Sequence, residues 1–417
     1  MTVSSKHLMD ALARLDAWLQ TMRQDKGYGG PVAHWWRDQF LYTGPGLDWR
    51  YEGILVGYSE LWTKTGNPVW LQRIQQATND LKAGQMEDGN FMMSEFERNP
   101  GTLGTPHEAA ASLGLLKSSV LTGDETGVVA ARRNLSHLVG ELWDPDSHGF
   151  NDRPGTPGRV PNKLATLSHA LCLLAETTND KSWLDYARAA IDDVLRFQVP
   201  DGLYAGAIHQ YAADNCHGDG RLFPFYNARC VEPLVVASRV FDETKYLAAA
   251  EKIMGFLEHT MTPEGLWPQI CYLSGNRAEY PRWIAGTADI LYAFHVMGRS
   301  VPLISLERLL TSQLPSGGFP TGVGFSRKAR SRASLIPPDY REMTPVIGWN
   351  DKVLRLLSSL LPSPLADEWP VPQTEGYSLQ VRMNGHTVVF TETAERFDYG
   401  TQWSIVKSEP WARGIIS

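Results

Sequence analysis

Gln85-Met86-Glu87-Asp88-Gly89-Asn90-Phe91 closes one amphipathic stretch of the chain, and its pattern returns four more times. The later copies are Asp146-Ser147-His148-Gly149-Phe150, Gln198-Val199-Pro200-Asp201-Gly202-Leu203-Tyr204, Thr262-Pro263-Glu264-Gly265-Leu266-Trp267 and Gln313-Leu314-Pro315-Ser316-Gly317-Gly318-Phe319. Each sets a glycine just ahead of an aromatic, usually after an acid or a serine. The glycines lie 60, 53, 63 and 52 residues apart. Self-similarity at such a period marks a repeat architecture and is read before any motif.

Between the copies, apolar residues recur at three- and four-residue intervals, which predicts amphipathic helices. They come in pairs: about 50–65 with 68–84, 107–121 with 125–141, 162–177 with 181–197, 226–241 with 244–260, and 283–297 with 302–313. The links inside the pairs are short and polar, such as Thr65-Gly66-Asn67-Pro68 and Thr122-Gly123-Asp124. Such residues stop one helix and cap the next, making tight helical hairpins. A helix near 345–361 and another near 5–23 remain, and together they supply a sixth pair. The expected fold is therefore all-α: an (α/α)₆ toroid of six hairpins over residues 1–363. Closure leaves no hairpin with an unburied flank, whereas an open array needs end caps. The first helix of each pair is the more apolar and is placed inside. The long connections, rich in Gly, Pro and aromatics, all fall on one face, where function is expected.

After Pro364 the pattern changes. Ser378 to Phe390, with Asn384-Gly385 at its centre, reads as a β-hairpin, and Gln402-Trp403-Ser404-Ile405-Val406 as a third strand. Residues 364–417 are expected to form a small β-rich tail packed on the toroid.

Bulk properties narrow the function classes. Net charge is -7 without an acidic tail, so nucleic acid, which demands a concentrated basic field, is not an expected partner. No apolar run is long enough to span a bilayer. Cys172, Cys216, Cys230 and Cys271 are far apart with no C-x-x-C pair, and residues 1–7 hold no apolar leader core. Both features predict a cytoplasmic protein with reduced thiols. Phosphate-loop, dinucleotide, zinc-protease and G-x-S-x-G signatures are absent from the sequence, and no cofactor is expected.

The hairpin pattern resembles the (α/α)₆ carbohydrate-active enzymes across residues 1–361, nearest to the unsaturated glucuronyl and rhamnogalacturonyl hydrolases. Gly46-Leu47-Asp48-Trp49-Arg50-Tyr51-Glu52-Gly53 is similar to their Asp-bearing entry to an inner helix, and Thr65-Gly66-Asn67 with Trp70-Leu71 to their T-G-D-x-x-Y-L exit. Tyr280-Pro281-Arg282-Trp283-Ile284-Ala285-Gly286 is similar to their W-A-R-G helix but lacks the Arg between Ala and Gly. The resemblance implies a hydrolase or lyase acting on a short, uronate-bearing oligosaccharide. The Q-x-x-D-G-aromatic segments also resemble the QW repeats of triterpene cyclases, without their D-x-D-D acid motif. Sugar epimerase or isomerase activity, isoprenoid cyclisation and a non-catalytic binding ring stay open as alternatives.

Candidate site residues cluster on the long-loop face. Glycosidic chemistry needs one carboxyl that donates a proton and another that activates water or the sugar. Asp48 and Glu52 share a helical spacing, and Asp48 also reads as an N-cap. Asp152 is the next acid–base candidate. His107, beside Pro106 and Glu108, is either a catalyst or part of a helix start. His209 and Tyr211 are the pair a β-eliminating lyase needs. His34, Trp35, Trp36, Arg37, Asp38, Tyr42 and Trp49 form the densest polar–aromatic group and are assigned to substrate binding. Tyr226, Asn227, Arg229, Arg282, Trp283 and Trp349 join them. Fourteen tryptophans serve either as core or as sugar-stacking faces. Cys216, His217 and Asp219 lie too close in sequence for a familiar zinc pattern, so no metal is assigned. Arg327-Lys328-Ala329-Arg330-Ser331-Arg332 reads as a solvated loop or as a carboxylate clamp, the latter favouring an anionic substrate.

Overall fold

Helix boundaries fall where the local chemistry places them. In the computed structural model, α2 (Arg50–Thr65) ends on Gly66 in the left-handed conformation, and the Asn67 side chain accepts from Val69 N to start α3 (Pro68–Ala83). Gly123 and Asp124 do the same between α4 (Ala109–Thr122) and α5 (Glu125–Leu142). The remaining helices are α1 (Ser5–Thr21), α6 (Pro161–Thr178), α7 (Trp183–Arg196), α8 (Pro224–Ala228), α9 (Val231–Phe241), α10 (Thr244–Thr260), α11 (Thr287–Val296), α12 (Leu303–Thr311) and α13 (Ile347–Leu360). The structure describes residues 3–34, 39–43, 45–91, 105–213, 217–324, 345–365, 368–372, 377–383, 386–392 and 397–398.

The hairpins close into a ring. Helices α2, α4, α6, α9, α11 and α13 each pack against the next, and α13 returns to α2. Of these inner helices, α2, α4, α6 and α13 are buried around most of their circumference. Helices α1, α3, α5, α7, α10 and α12 form an outer ring, each burying one stripe. As expected, the sixth hairpin joins the two ends of the helical region: α13 is inner and α1 is its outer partner. Gly53 and Gly57 let α2 approach α13 closely, with Asp351 and Leu354 where side chains would otherwise stand.

The sequence repeat is the joint between neighbouring hairpins. Gln85 Nε2 donates to Gly89 O in its own turn and to Ala130 O of the next outer helix, α5. Gln198 donates to Gly206 O and to Ala249 O of α10. Gln313 donates to Gly317 O and to Ala11 O of α1. The last joint therefore ties the end of the fifth hairpin to the N-terminal helix and closes the circle. Gly317 takes φ 102° and lies against the Arg14 carbonyl with no room for a Cβ. In the second copy, which lacks the Gln, buried Arg159 links Asn151, Ser147 and Asp193 of α7 instead.

Two boundaries differ from the periodicity. The fifth inner helix starts at Thr287, because Arg282–Trp283 pairs as a strand with Gly322–Val323. The fourth starts with the short α8 before α9. Beyond the ring, Tyr377–Met383 pairs antiparallel with His386–Glu392, and Phe397–Asp398 forms the third strand. The third strand expected at 402–406 lies outside the described residues, as does Asn384-Gly385.

Candidate active site

Inner-helix N-termini face the long loops, and aromatic side chains gather there. The Trp283 and Trp349 rings stack at 5.2 Å. Phe225 meets both edge-on, at 5.4 and 5.6 Å, and Tyr226 lies 4.1 Å from Phe225. Trp49 touches Trp349 at 6.1 Å and the His107 ring at 5.8 Å. Gly348 leaves space for the Trp49 indole. Trp283 and Trp349 are buried, whereas Trp49, His107 and Tyr226 keep an exposed edge. The structure thus brings together Trp49, His107, Tyr226, Trp283 and Trp349 from five distant segments.

His107 Nδ1 has no hydrogen-bond partner among the described residues. Burial, reinforced by the positive charges of Arg229, Lys352 and Lys163, holds its imidazole neutral, far below the usual histidine range. Lys163, at the start of α6, is paired with Asp152 at 2.7 Å. Tyr211 packs over Gly158 of the same loop. His209 accepts from Gly220 N through Nδ1, which leaves the proton on Nε2.

Beneath this aromatic layer the lumen is crossed by a bed of charges. Glu52 accepts from Arg229 at 3.0 and 2.5 Å and from Arg355 at 2.6 Å. Arg355 also donates to Asp289 at 2.6 Å. Lys352 pairs with Asp351 at 2.7 Å and lies over the Trp49 ring. All six groups are at least nine-tenths buried. Burial alone would raise Glu52, but Arg229, Lys352 and Arg355 hold it well below the usual carboxylate range. Asp351 goes the other way: burial lifts its carboxyl to about 7 against the pull of Lys352.

The two carboxylates read as a pair therefore have separate partners. Asp48 takes the Arg50 guanidinium at 2.7 and 2.9 Å and accepts from Arg50 N, in the manner of a helix-start residue. Glu108 completes a capping box with Thr105, and burial raises its carboxyl to about 7, with the charge of Asp48 adding to the rise. Asn227 has its amide committed to the backbone of Ile208 and Phe223. Asn350 makes the same clamp on Phe319 and Val346 two repeats later. Arg282 points away from the aromatic layer to Glu264 and Glu279. His34 and Tyr42 lie on a two-stranded ribbon, Gly30–His34 with Gln39–Thr43. Trp35, Trp36, Arg37, Asp38, Cys216 and the basic run at 327–332 lie outside the described residues.

Asp289, Asp351, Lys352 and Arg355 escaped the sequence reading. Their signal was present: charged residues inside the most apolar helices, as in Asn350-Asp351-Lys352-Val353-Leu354-Arg355. Such residues are buried only when paired. Among the described residues no group of His, Cys, Asp or Glu is arranged to hold a metal, and no helix is long and apolar enough to cross a membrane. Cys172, Cys230 and Cys271 are buried free thiols.

No family model and no curated protein matches the sequence. The fold has solved counterparts. Cellobiose 2-epimerase from Bacillus thermoamylovorans aligns over 85% of this chain and 98% of its own, with TM-score 0.66 and 12% identity. D-mannose isomerase aligns over 85% and 97%, with TM-score 0.64 and 11% identity. Unsaturated glucuronyl hydrolase from Bacillus sp. GL1 aligns over 85% and 96%, with TM-score 0.62 and 14% identity. At these identities the shared property is the fold, and that fold is the (α/α)₆ toroid.

Proposed function

We propose that this protein is an enzyme that acts on a sugar or short oligosaccharide by moving a proton at carbon, with His107 as the base. The state of His107 carries the reading. It is neutral, its Nδ1 is buried with no hydrogen-bond partner among the described residues, and its ring lies beside a partly exposed tryptophan at the mouth of the ring. Epimerisation, aldose–ketose isomerisation and β-elimination from a uronate share one first step, removal of a proton from the carbon beside a carbonyl or carboxylate. The positive field that keeps a proton off His107 favours the enolate that this step creates. Trp49, partly exposed, is an aromatic against which a sugar ring packs. The names of the structural neighbours, sugar epimerase, isomerase and uronyl hydrolase, support the substrate class.

Hydrolysis is the second reading, and Glu108 favours it. Burial raises its carboxyl to about 7, with the charge of Asp48 adding, and a raised carboxyl is what a glycosidase uses as its proton donor. The capping box, which commits Glu108 to Thr105 N, weighs against it.

The test is incubation in deuterated water with cellobiose, D-mannose and uronate oligosaccharides, followed by proton NMR. Deuterium should enter at the carbon beside the carbonyl, or the conjugated uronate product should appear. His107→Asn should lower that rate by about 100-fold or more with the fold retained. Release of reducing ends without exchange, indifferent to His107→Asn and lost in Glu108→Gln, would establish hydrolysis instead. A flat response across the panel would sink the enzymatic reading.

A further inference from the structure

The first turn of α6 borders the mouth beside His107. The single turn Pro106–Glu108 that carries His107 packs against this helix. Asn162, Thr166 and His169 fall at i, i+4 and i+7 of α6 and so share one face. Thr166 and His169 border the lumen at the charged bed, with Glu52, Arg229 and Arg355. Asn162 therefore faces the lumen as well, about 6 Å nearer the mouth at the helical rise of about 1.5 Å per residue. It is 7% exposed, and its Oδ1 has no hydrogen-bond partner among the described residues. Next to it, Lys163 Nζ donates to Asp152 Oδ1 at 2.7 Å. The Lys163 and Asp152 side chains are 21% and 14% exposed, against 7% or less in the charged bed, so this ion pair meets solvent where the bed does not. The charge of Lys163 reaches both His107 and Glu108.

We infer that the start of α6 is a hydroxyl-reading wall of the active site: the Lys163–Asp152 pair holds two adjacent hydroxyls of a neutral sugar, and Asn162 Oδ1 accepts a third. This role rests on the proposed proton transfer at His107 and narrows its substrate to uncharged sugars. The pair uses one of the three Lys163 N–H groups and one carboxylate oxygen. One sugar hydroxyl can donate to Asp152 while its neighbour accepts from Lys163, and the ion pair stays intact. A carboxylate drawn to Lys163 would instead lie against Asp152, like charge beside like charge. Other cations around the mouth are matched in the same way: Arg50 by Asp48, Lys352 by Asp351 and Arg229 by Glu52. What the wall leaves unmatched is a neutral acceptor, the Asn162 carbonyl. A buried acceptor without a donor is unfavourable, and a ligand hydroxyl removes that cost.

Saturation-transfer NMR on the full chain with D-mannose, D-glucose, cellobiose and their mono-deoxy forms tests this, with D-glucuronate as the charged control. A neutral sugar should bind, and deleting one hydroxyl of the adjacent pair should weaken it by about tenfold. In Lys163→Met/Asp152→Asn, which keeps the net charge, the parent sugar should weaken by about tenfold and that deoxy sugar should not. Asn162→Ala is a smaller lesion, should level a different hydroxyl, and serves if the double variant does not fold. Binding is read without turnover, so a chain that follows this pattern but exchanges no deuterium would sink the role of His107 and leave the wall standing. Three outcomes overturn the proposal: no saturation transfer from any neutral sugar, D-glucuronate bound in preference, or hydroxyl deletions that all cost the same in the variants as in the wild type.

Discussion

Glu52 lies where a lone carboxylate would be most costly to bury, and its ionisation is the work of Arg229, Arg355 and Lys352. Such a network adds little net stability over apolar packing, yet breaking it strands charges in the interior. Glu52→Gln should therefore lower stability by about 3–5 kcal/mol, read from urea unfolding. Unchanged stability with lost turnover would instead make Glu52 a catalyst. His169 gives the pH dependence at this scale. Burial, with Lys117 adding, lowers its imidazole to about 4, whereas the unfolded chain protonates near 6.5. A depressed folded value means that the unfolded state binds the proton first, so stability falls as pH drops from 6.5 toward 4. The loss from this group approaches about 3 kcal/mol. His169→Gln should remove it, so the gap between wild type and variant should move in the variant's favour across that window. A gap independent of pH would refute the assignment.

At the scale of elements, the five turn copies explain why the repeat exists. Gln85, Gln198 and Gln313 each satisfy two carbonyls on neighbouring hairpins. Each Gln→Ala change should cost about 1–3 kcal/mol and leave two carbonyls short of a donor. The three sites sit on different joints, so the losses should add in a triple variant. Strong non-additivity in denaturant titrations would mean that the joints are one cooperative unit. The repeat was legible because turn chemistry is local: a left-handed residue, glycine in four copies and His148 in the second, and an aromatic that buries itself beside it. What the Gln bonded to was not legible, since its second partner lies 45 to 302 residues away.

Across the whole molecule, α1 and α13 stand at opposite ends of the helical region and share one hairpin. Removing residues 1–22 would expose the flank of α13 and leave Gln313 without Ala11. A ring buries every flank, whereas an open array does not. The truncated chain should lose its single cooperative unfolding transition and self-associate, measured by calorimetry and sedimentation. A monomer with unchanged cooperativity would show that closure is not needed.

Periodicity, caps and the repeat determined the toroid, its inner and outer helices and the pairing of the two ends, because each depends on residues near one another in the chain. The composition of the mouth was legible in part: Trp49, His107, Tyr226, Trp283 and Trp349 were all named from sequence and meet in space. Tertiary structure alone decided the partners of the charges. Glu52 turned to Arg229 and Arg355, and Arg355 also to Asp289. Those choices depend on how far each inner helix is rotated about its axis, to within a fraction of a turn. That rotation is set by contacts such as Gly53 against Asp351 between helices about 300 residues apart, and no local pattern encodes it.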